Sequence, residues 1–490
     1  MERCEVAVVG AGPVGLLTAV LLGQAGHDVV VLERHARPYG LPRAVHYDDE
    51  AARVLAAAGV GEALAPLVEP AGVYEWRNAD GQTLLAFDRS QPGPSGWPEG
   101  TLFSQPDLER VLEERVAALG TVRLVRGAEV TAVSAGGRVT LADGDVLDAG
   151  WVVGADGARS TVREAVGGAV VDLGFSSDWL VVDVRLRAPR TFEPSFWQLC
   201  DPAGPTTLVP SGPGRRRWEF LRLPGEPAPD EADVWRRLAV WDVTPADAEL
   251  ERWTVYRFDA RWAERWRAGR LLLAGDAVHE MPPFAGQGLC AGLRDAAALA
   301  WRLDLVLGGR AGEGLLDSYG SERRGHVRTF VEFSVELGKV VVLTDPVAAA
   351  ERDEAMGAGG PVPPGSSVLD IPLGPGLSLP DDPLAGHLGP QGVLAVDGRC
   401  GPADDVVGRR FLLLGLDGPP ALDPATADGF ARLGGRVLGL PADVDVEGTY
   451  RGWLAPAGRD VVLLRPDGYA YGSGTGDGQR LVSALLDALS

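Results

Sequence analysis

The segment that most limits how this chain can fold is residues 5–33, where an apolar run leads directly into a glycine-rich turn. Its expected parts are a strand, a turn, a helix, a second strand and a terminal acid, at Glu5 to Val9, Gly10-Ala11-Gly12-Pro13-Val14-Gly15, Leu16 to Gln24, Val29 to Leu32 and Glu33. This order is typical of the first unit of a doubly wound sheet. The segment therefore predicts an α/β domain at this end of the chain.

In a nucleotide-binding unit, each of the three glycines of the turn is needed for a different physical reason. Gly10 permits the tight turn, Gly12 lets a pyrophosphate approach the backbone, and Gly15 lets the helix pack on the strand. The helix N-terminus then faces the phosphates, and Glu33 can accept hydrogen bonds from a ribose. Because all these parts occur in order, we predict dinucleotide binding rather than a chance glycine turn. The fingerprint itself does not separate NAD from FAD.

A second unit of strand, loop and helix lies in residues 270–295, far from the first. It contains an apolar strand, a Gly-Asp pair, a Pro-Pro turn, two further glycines and a helical pattern, at Leu271 to Ala274, Gly275-Asp276, Pro282-Pro283, Gly286 and Gly288, and Leu289 to Leu307. Two such units in one chain predict two segments that close on one extended ligand.

Three further polar residues are candidates for the same ligand. Asp156 follows a buried strand and precedes Gly157, so it is either an ordinary turn residue or a contact to a ribose or a water-bridged pyrophosphate. Arg43 is either a surface cap or a phosphate contact, since arginine serves both roles. Gln105 opens a helical pattern and is predicted to be an exposed polar residue over the ligand.

Composition narrows the classes of partner and the compartment. With 490 residues and a net charge of −22, about three domains and no nucleic-acid partner are expected. Four cysteines without CxxC spacing predict neither a disulfide framework nor a zinc site, and no metal site is predicted. No signal segment and no apolar run of ~20 residues is found, so we expect a cytoplasmic protein without membrane association. The run Arg215-Arg216-Arg217 is expected to be a solvated hairpin tip.

The rest of the chain predicts a sheet and a separate C-terminal unit. Alternation from Trp179 to Leu223 predicts antiparallel strands with one wet face and one packed face. Downstream, a helix that contains Trp262 and Trp266 is expected to lead into the second unit. A long helix and then a Gly/Pro-rich linker from Gly357 to Gly392 follow, and the last hundred residues are sufficient for a small α/β domain.

The glycine turn with Glu33, then Asp156-Gly157, then Gly275-Asp276 form an ordered set of three motifs. Together they resemble the single-component, FAD-dependent aromatic hydroxylases of the para-hydroxybenzoate hydroxylase fold, the class A flavoprotein monooxygenases. Within that group, four segments look like the 3-(3-hydroxyphenyl)propionate hydroxylases and the related hydroxylases of aromatic polyketides: PRAVHYDDEA, RRWEFLRLPGE, LLLAGDAVHEMPPFAGQGLCAGLRDA and RPDGYAYG. The resemblance covers nearly the whole chain.

The resemblance implies a mixed α/β and α+β fold, in which a Rossmann-like FAD-binding domain carries an inserted, mostly antiparallel substrate-binding sheet and a C-terminal thioredoxin-like domain. The expected divisions are FAD-binding parts at 1–72, 105–172 and 259–356, the last with long helices, substrate-domain parts at 73–104 and 173–258, a linker at 357–392 and the thioredoxin-like domain at 393–490. Only Cys400 lies in that last domain, so no redox role is expected there.

The resemblance also implies a set of FAD-binding residues. From the ADP half of FAD to the flavin ring, they are Gly10, Gly12, Pro13, Gly15, Glu33, Arg34, Arg43, Gln105, Asp156, Gly275, Asp276, Pro283, Gly286, Gly288, Leu289 and Cys290. Backbone N–H groups of Gly286, Gly288 and Leu289 would contact the flavin pyrimidine ring. The family usually has Asn where this chain has Cys290, so a side-chain amide contact to the flavin is lost.

The activity implied by the resemblance is NAD(P)H- and O₂-dependent hydroxylation of a phenolic ring, phenylpropionate-like or an aromatic polyketide, through a flavin C4a-hydroperoxide. FAD is the expected cofactor, NADPH or NADH a transient co-substrate, and the protein a monomer or homodimer. Pro283 is a catalytic candidate, because a carbonyl of the rigid Pro-Pro turn can receive the hydroperoxide proton. Candidates for the base that removes the phenol proton are His46, Tyr47, Tyr74 and His279, each more often a packed structural residue.

Alternatives to this activity differ in what they need from the sequence. A flavin halogenase would need a Trp-x-Trp-x-Ile-Pro motif, which is absent, and a catalytic lysine, whereas the sole lysine, Lys339, lies on a late helix. A Baeyer-Villiger enzyme with two dinucleotide domains would need a second GxGxxG motif after a strand, and no second such motif follows a strand in this sequence. A Baeyer-Villiger or epoxidising oxygenase on the same fold stays open, as does an FAD-binding carrier without turnover.

Overall fold

The computed structural model describes residues 2–41, 43–357 and 370–490. The strands, in chain order, are β1 Glu2–Val9, β2 Val29–Glu33, β3 His46–Tyr47, β4 Val68–Pro70, β5 Val73–Arg77, β6 Thr83–Asp88, β7 Thr101–Phe103, β8 Val122–Arg126, β9 Val130–Val133, β10 Arg138–Leu141, β11 Val146–Gly154, β12 Val170–Leu186, β13 Phe196–Leu199, β14 Thr206–Pro210, β15 Arg215–Arg222, β16 Ala248–Ala263, β17 Arg267–Ala268, β18 Leu271–Leu273, β19 His279–Glu280, β20 Val393–Val396, β21 Arg399–Pro402, β22 Leu412–Gly415, β23 Arg436–Gly439, β24 Val461–Leu464 and β25 Ala470–Gly474.

The helices, in chain order, are α1 Pro13–Gln24, α2 Asp49–Ala57, α3 Gly61–Leu64, α4 Gln105–Ala118, α5 Thr161–Val166, α6 Glu231–Ala239, α7 Gly288–Leu307, α8 Leu315–Val341, α9 Pro346–Gly357, α10 Ala403–Val407, α11 Pro424–Arg432, α12 Thr449–Leu454 and α13 Gly478–Leu489. Short 3₁₀ turns occur at Ala65–Leu67, Gly275–Ala277, Pro283–Ala285 and Ala455–Ala457. Within the described ranges, no helix is long and apolar enough to cross a bilayer.

The first sheet has the strand order β17-β18-β11-β1-β2-β8, and its strands from β18 to β8 are parallel. Strands β9 and β10 extend it beside β11. Helices α1 and α7 contact each other, and their apolar residues share one core with the sheet. A parallel sheet with helices packed on it confirms the predicted Rossmann-like domain.

The second sheet has the order β19-β16-β12-β15-β14-β13-β5-β6, and all its pairs except β13 with β5 are antiparallel. This confirms the mostly antiparallel sheet. Leu180, Val182 and Trp218 pack on one side against α6. Because side chains alternate along a strand, Trp179 and Asp183 lie on the opposite side, which we call the inner face.

The inner face is turned toward the loop that precedes α7. The ring of Trp179 lies 5.8 Å from the ring of Phe284, measured between centroids. The Phe284 ring also meets Phe175 edge-on at 6.1 Å. The second glycine unit therefore packs against the inner face of the second sheet.

The C-terminal unit combines a sheet of order β23-β22-β24-β25 with helices that include α11 and α13. Strands β22 and β23 are parallel, and the other two pairs are antiparallel, as expected for a thioredoxin-like domain. Cys400 is exposed, the other three cysteines are buried, and all four are thiols. The predicted linker at 357–392 falls partly on residues 358–369, which lie outside the described residues.

Buried polar contacts join this C-terminal unit to the rest of the molecule. Arg53 pairs with Asp404 at 2.7 Å, and the hydroxyl of Tyr469 donates to Glu50 at 2.8 Å. Arg465, which is buried, lies 3.0 Å from Glu322 of α8. The three contacts link α2 and α8 with the C-terminal unit through charges that are shielded from water.

The prediction of a helix that contains Trp262 and Trp266 is wrong. Trp262 lies in β16, directly opposite Val171 of β12, and Trp266 is in the turn after that strand, where its Nε1 donates to the Ala263 carbonyl at 3.0 Å. Hydrogen bonds with the long neighbouring strand β12 stabilise an extended backbone here. That partner is remote in sequence, so local spacing did not reveal it.

The predicted solvated tip at Arg215-Arg216-Arg217 is also wrong. These residues begin β15, and Arg217 is buried on the inner face, where its Nε donates to Asp183 Oδ1 at 2.7 Å. Asp183 is the residue directly opposite Arg217 in β12. The opposite charge in the neighbouring strand makes burial of this arginine tolerable.

Candidate active site

Strand register places the three glycine-marked motifs side by side. Val9 at the end of β1 pairs with Gly154 at the end of β11, and Gly154 pairs with Leu273 at the end of β18. The turns that follow these strands therefore meet at one edge of the first sheet. Parallel α/β sheets bind ligands outside the carboxyl ends of their strands, and this edge is such a place.

The glycines of the first turn have distinct surroundings. Gly10 has φ +103°, and a Cβ there would lie 2.4 Å from the Ala155 carbonyl oxygen. A Cβ at Gly15 would lie 2.0 Å from the Gly10 oxygen, whereas a Cβ at Gly12 would meet no atom within 4 Å. Gly10 and Gly15 are thus required by the packing of the chain itself. Gly12 borders open space at the N-terminus of α1, which fits a phosphate group.

A cleft at this edge encloses about 960 Å³, part of it open to solvent. The predicted cofactor residues along it are Gly10, Gly12, Pro13, Glu33, Arg34, Arg43, Gln105 and Asp156. Sequence reasoning missed Arg37, Tyr39 and Arg159, which also line it. The positive charge of these arginines suits a pyrophosphate, although contacts of all these residues with a cofactor stay predictions.

Glu33 joins the two backbone segments at one end of the cleft. Its Oε2 accepts a hydrogen bond from Ala11 N at 2.9 Å, and its Oε1 accepts one from His35 N at 2.8 Å. Each oxygen keeps a further lone pair, which a ribose hydroxyl can use.

Gln105 is buried, not exposed as predicted. Its Oε1 accepts from Ala44 N at 2.8 Å and its Nε2 donates to Glu109 at 2.7 Å, so the amide holds the segment that carries Arg43. Arg217 donates to the Arg43 carbonyl at 2.5 Å. The Arg43 side chain itself is exposed and lies over the Tyr39 ring at 4.7 Å.

Asp156 is both a turn residue and a lining residue of the cleft. Its Oδ1 accepts from Ser160 Oγ at 2.5 Å and its Oδ2 accepts from Val162 N at 3.3 Å. Burial raises the pKa of Asp156 and these hydrogen bonds oppose that rise. The two readings of this residue are therefore compatible in one structure.

The second unit is held by Asp295, which sequence reasoning missed. Asp295 Oδ2 accepts from Gly275 N at 3.0 Å and from His279 Nε2 at 2.7 Å, and its Oδ1 accepts from Arg323 at 2.8 Å. All three contacts are buried. This fixes the turn at Gly275 and engages His279 Nε2 in a buried contact.

Asp276, the next residue, directs its side chain outward to solvent at the same sheet edge. A Cβ at Gly275 would lie 3.0 Å from the side chain of Val14 in the first glycine turn, so the two turns are in contact. The two glycine units thus converge on one site.

The side chain of Arg294 links the glycine loop to the segment after β3 through hydrogen bonds. It donates to Asp48 Oδ2 at 2.5 Å and to Gln287 Oε1 at 2.9 Å, and it also bonds to Glu50. Burial would raise the pKa of Asp48, but Arg294 holds it at about 2. The sequence Leu-Arg-Asp-Ala in the second unit could have indicated this role of Arg294, because it places two adjacent charged residues on a helix that is buried.

The loop from Pro283 to Cys290 leads into α7. Gly286 has φ +65°, and its carbonyl lies 3.3 Å from His46 Nδ1 and accepts from Cys290 Sγ at 3.6 Å. Burial raises the pKa of the Cys290 thiol, so it stays protonated at neutral pH. Gly288 begins the helix and Leu289 follows it, so the free N–H groups of the first turn are at this point.

Of the remaining base candidates, His46 and Tyr47 are buried and Tyr74 is half-buried. Burial and the charge of Arg89 lower the pKa of His46 to about 3, so its imidazole is neutral at pH 7. Burial raises the pKa of Tyr47 and of Tyr74 above that of a free phenol. The Tyr74 ring stacks on Phe196 at 4.0 Å on the inner face. The catalytic roles of Pro283, His46 and Tyr47 stay predictions.

Comparison with known proteins finds a family model for each of two parts of the chain. Residues 3–334 match the model described as FAD binding domain, and residues 386–488 match the HcaD C-terminal domain. A probable NADH-specific resorcinol 4-hydroxylase from Rhodococcus jostii (strain RHA1) is 38% identical, over 96% of this chain and 92% of that protein.

Two further proteins extend the similarity. A 3-(3-hydroxy-phenyl)propionate/3-hydroxycinnamic acid hydroxylase from Comamonas testosteroni is 31% identical, over 95% of this chain and 93% of that one. Among solved structures, a ternary complex of aklavinone-11 hydroxylase with FAD and aklavinone superposes with a TM-score of 0.78 at 25% identity, over 100% of this chain and 99% of the other.

Proposed function

Because this chain belongs to the FAD-binding domain family, whose members similar to it are flavin-dependent aromatic hydroxylases, we propose that it hydroxylates a small phenol with FAD, NADH and O₂. A ring of the size of resorcinol or 3-hydroxyphenylpropionate is the substrate we propose, since the two curated relatives above act on such compounds by name. NADH is proposed as the reductant from the first of these relatives.

One observation carries this proposal. The aromatic inner face of the second sheet, with Trp179 and Tyr74, meets Phe284 immediately after Pro283 in the loop that leads to α7. Aromatic walls offer a flat ring both apolar area and edge-to-face contacts. A phenol in this space would lie between the sheet and the end of the cleft where the second glycine unit stands.

The residues of the chain would bind the cofactor, orient its ring and exclude water. Gly12 and the α1 N-terminus would hold the pyrophosphate, Arg43 and Asp276 the segment beyond it, and the first turn of α7 the flavin ring. Bound FAD supplies the redox chemistry, hydride uptake from NADH and oxygen transfer to the ring. The apolar side chains beside Phe284 keep water away from the reacting atoms.

The test is NADH consumption by the FAD-loaded protein with and without a phenol. Resorcinol and 3-(3-hydroxyphenyl)propionate are expected to accelerate NADH oxidation and to yield a hydroxylated product in proportion. A polycyclic phenol serves as the size control, and H₂O₂ is measured to detect uncoupled turnover. Protein that cannot be loaded with FAD, or that oxidises NADH at the same rate with every phenol, contradicts the proposal.

A further inference from the structure

Arg89 directly follows β6 and lies on the inner face of the second sheet. Its N–H donates to the Gly72 carbonyl at 3.4 Å, one step beyond the pair of Val73 with Asp88. Because side chains alternate along the strand, Arg89 is on the same side as Phe87 and its partner Tyr74. The guanidinium therefore points toward the space proposed for the substrate.

The charge of Arg89 acts on the carboxyl of Glu99, whose pKa is raised by burial and lowered by Arg89. In the described ranges of the chain, no acid forms an ion pair with this half-buried side chain, and its hydrogen bond goes to the Glu99 carbonyl at 3.3 Å. Its field nevertheless reaches the catalytic end of the site: it opposes the burial that raises the pKa of Tyr74 and of Cys290. An arginine with spare N–H donors at such a place is suited to bind an oxygen of a ligand.

His46 supplies a second unused group beside Arg89. Its Nε2 is buried and has no hydrogen-bond partner among the described residues. A Cβ at Gly100 would lie 3.0 Å from this Nε2 and 3.4 Å from Arg89 Nε, so the two groups lie close together on one side of Gly100. A buried nitrogen without a partner costs free energy unless a ligand satisfies it.

The protonation of His46 follows from its other nitrogen. Nδ1 lies 3.3 Å from the Gly286 carbonyl, which can only accept, so Nδ1 carries the hydrogen. The pKa of about 3, caused by burial and then by Arg89, keeps the ring neutral. Nε2 is therefore a hydrogen-bond acceptor, and it requires a donor from the ligand.

We propose that Arg89 and His46 together bind one phenolic oxygen of the substrate, with its hydroxyl donating to His46 Nε2 and the guanidinium of Arg89 donating to the oxygen. This inference rests on the proposed function and names the group that the site recognises. A carboxylate fits less well, because it has no proton to offer and would meet the lone pair of Nε2. The positive charge of Arg89 also stabilises the partial negative charge on the phenolic oxygen.

Equilibrium binding tests the assignment without turnover. FAD-loaded wild-type protein, Arg89→Met and Arg89→Lys are titrated with resorcinol, with 3-(3-hydroxyphenyl)propionate and with 3-phenylpropionate, and the flavin absorption spectrum is followed. Arg89→Met is expected to raise the Kd of both phenols about 10- to 100-fold, the effect of one hydrogen bond to a charged group. Arg89→Lys keeps the charge and is expected to restore part of the affinity.

Arg77→Met is the matched control, because Arg77 is an arginine of the same sheet on the other face, paired with Glu75 at 3.0 Å. It is expected to bind both phenols like the wild type. Unchanged phenol binding by Arg89→Met overturns this inference and leaves the proposed function intact. A selective loss of 3-phenylpropionate binding also overturns it, because Arg89 would then bind a carboxylate. Wild-type protein that binds FAD but neither phenol overturns the proposed function as well.

Discussion

The carboxylate of Asp295, in α7, accepts a hydrogen bond from the backbone N–H of Gly275 at 3.0 Å, and thereby fixes the strand end that carries Asp276. The same carboxylate bonds to His279 and Arg323, and its side chain is buried completely. The helix after the glycine loop therefore determines the geometry of the loop before it.

Asp295→Asn is expected to lower the free energy of unfolding by about 3–5 kcal/mol, because the buried Arg323 loses its counter-charge and one amide group faces donors. Urea unfolding measures this. The control is Glu332→Gln in α8, an exposed acid paired with Arg328, for which about 1 kcal/mol or less is expected. Equal losses in the two variants would contradict the role of Asp295.

Asp276→Ala is expected to weaken FAD binding more than Glu33→Ala, about tenfold against about threefold. Asp276 would act nearer the reactive ring, whereas the carboxylate of Glu33 is already engaged by Ala11 N and His35 N. Titration of the apoprotein with FAD gives both dissociation constants. Comparable affinities for the two variants would count against this placement of Asp276.

Gly12→Ala and Gly15→Ala are expected to fail in different ways. A methyl group at Gly12 meets no protein atom within 4 Å, so the protein folds, with a cost of about 1 kcal/mol or less, and loses FAD affinity about tenfold. At Gly15 the methyl group collides with the Gly10 carbonyl, so the folded state itself is lost. Circular dichroism and FAD titration separate the two results. Normal FAD binding by Gly12→Ala would contradict the placement of the FAD pyrophosphate next to Gly12.

The pair of Asp48 with Arg294 predicts a dependence of stability on pH. The folded pKa of Asp48, about 2, is below that of an unfolded aspartate, so the contribution is complete well above pH 4 and is lost as pH falls toward 2. It amounts to about 2 kcal/mol, and about half is lost at pH 3. Unfolding of wild type and Asp48→Asn from pH 6 to pH 3 should show their difference shrink. Asp317→Asn, at an exposed pair with Arg267, should show no such trend.

The sequence was sufficient for the elements whose pattern is local. The strands that end at Val9, Glu33 and Leu273 and the helix from Gly288 appear where hydrophobic runs and glycines predict them. Each of these elements is specified by its own residues. No local pattern specifies the register that brings Gly154 between Val9 and Leu273, and it was not predicted.

What sequence reasoning missed depends on partners remote in the chain. Trp262 is extended because β12 lies beside it, and Arg217 is buried because Asp183 stands opposite. Gln105 is buried because the Ala44 N–H and Glu109 both bond to its amide. In each case a local pattern had two physical outcomes, and a contact across the fold selected one.

The buried contacts of the C-terminal unit have a consequence for the exchange of parts between relatives. Arg53, Glu50 and Glu322 each have their charge matched or bonded by Asp404, Tyr469 and Arg465 respectively. A chimaera that replaced the last hundred residues with those of another hydroxylase would leave Arg53 without its carboxylate and would remove one partner each from Glu50 and Glu322, unless the replacement carried the same three residues. The catalytic body and its C-terminal unit are therefore expected to be interchangeable only as a matched pair.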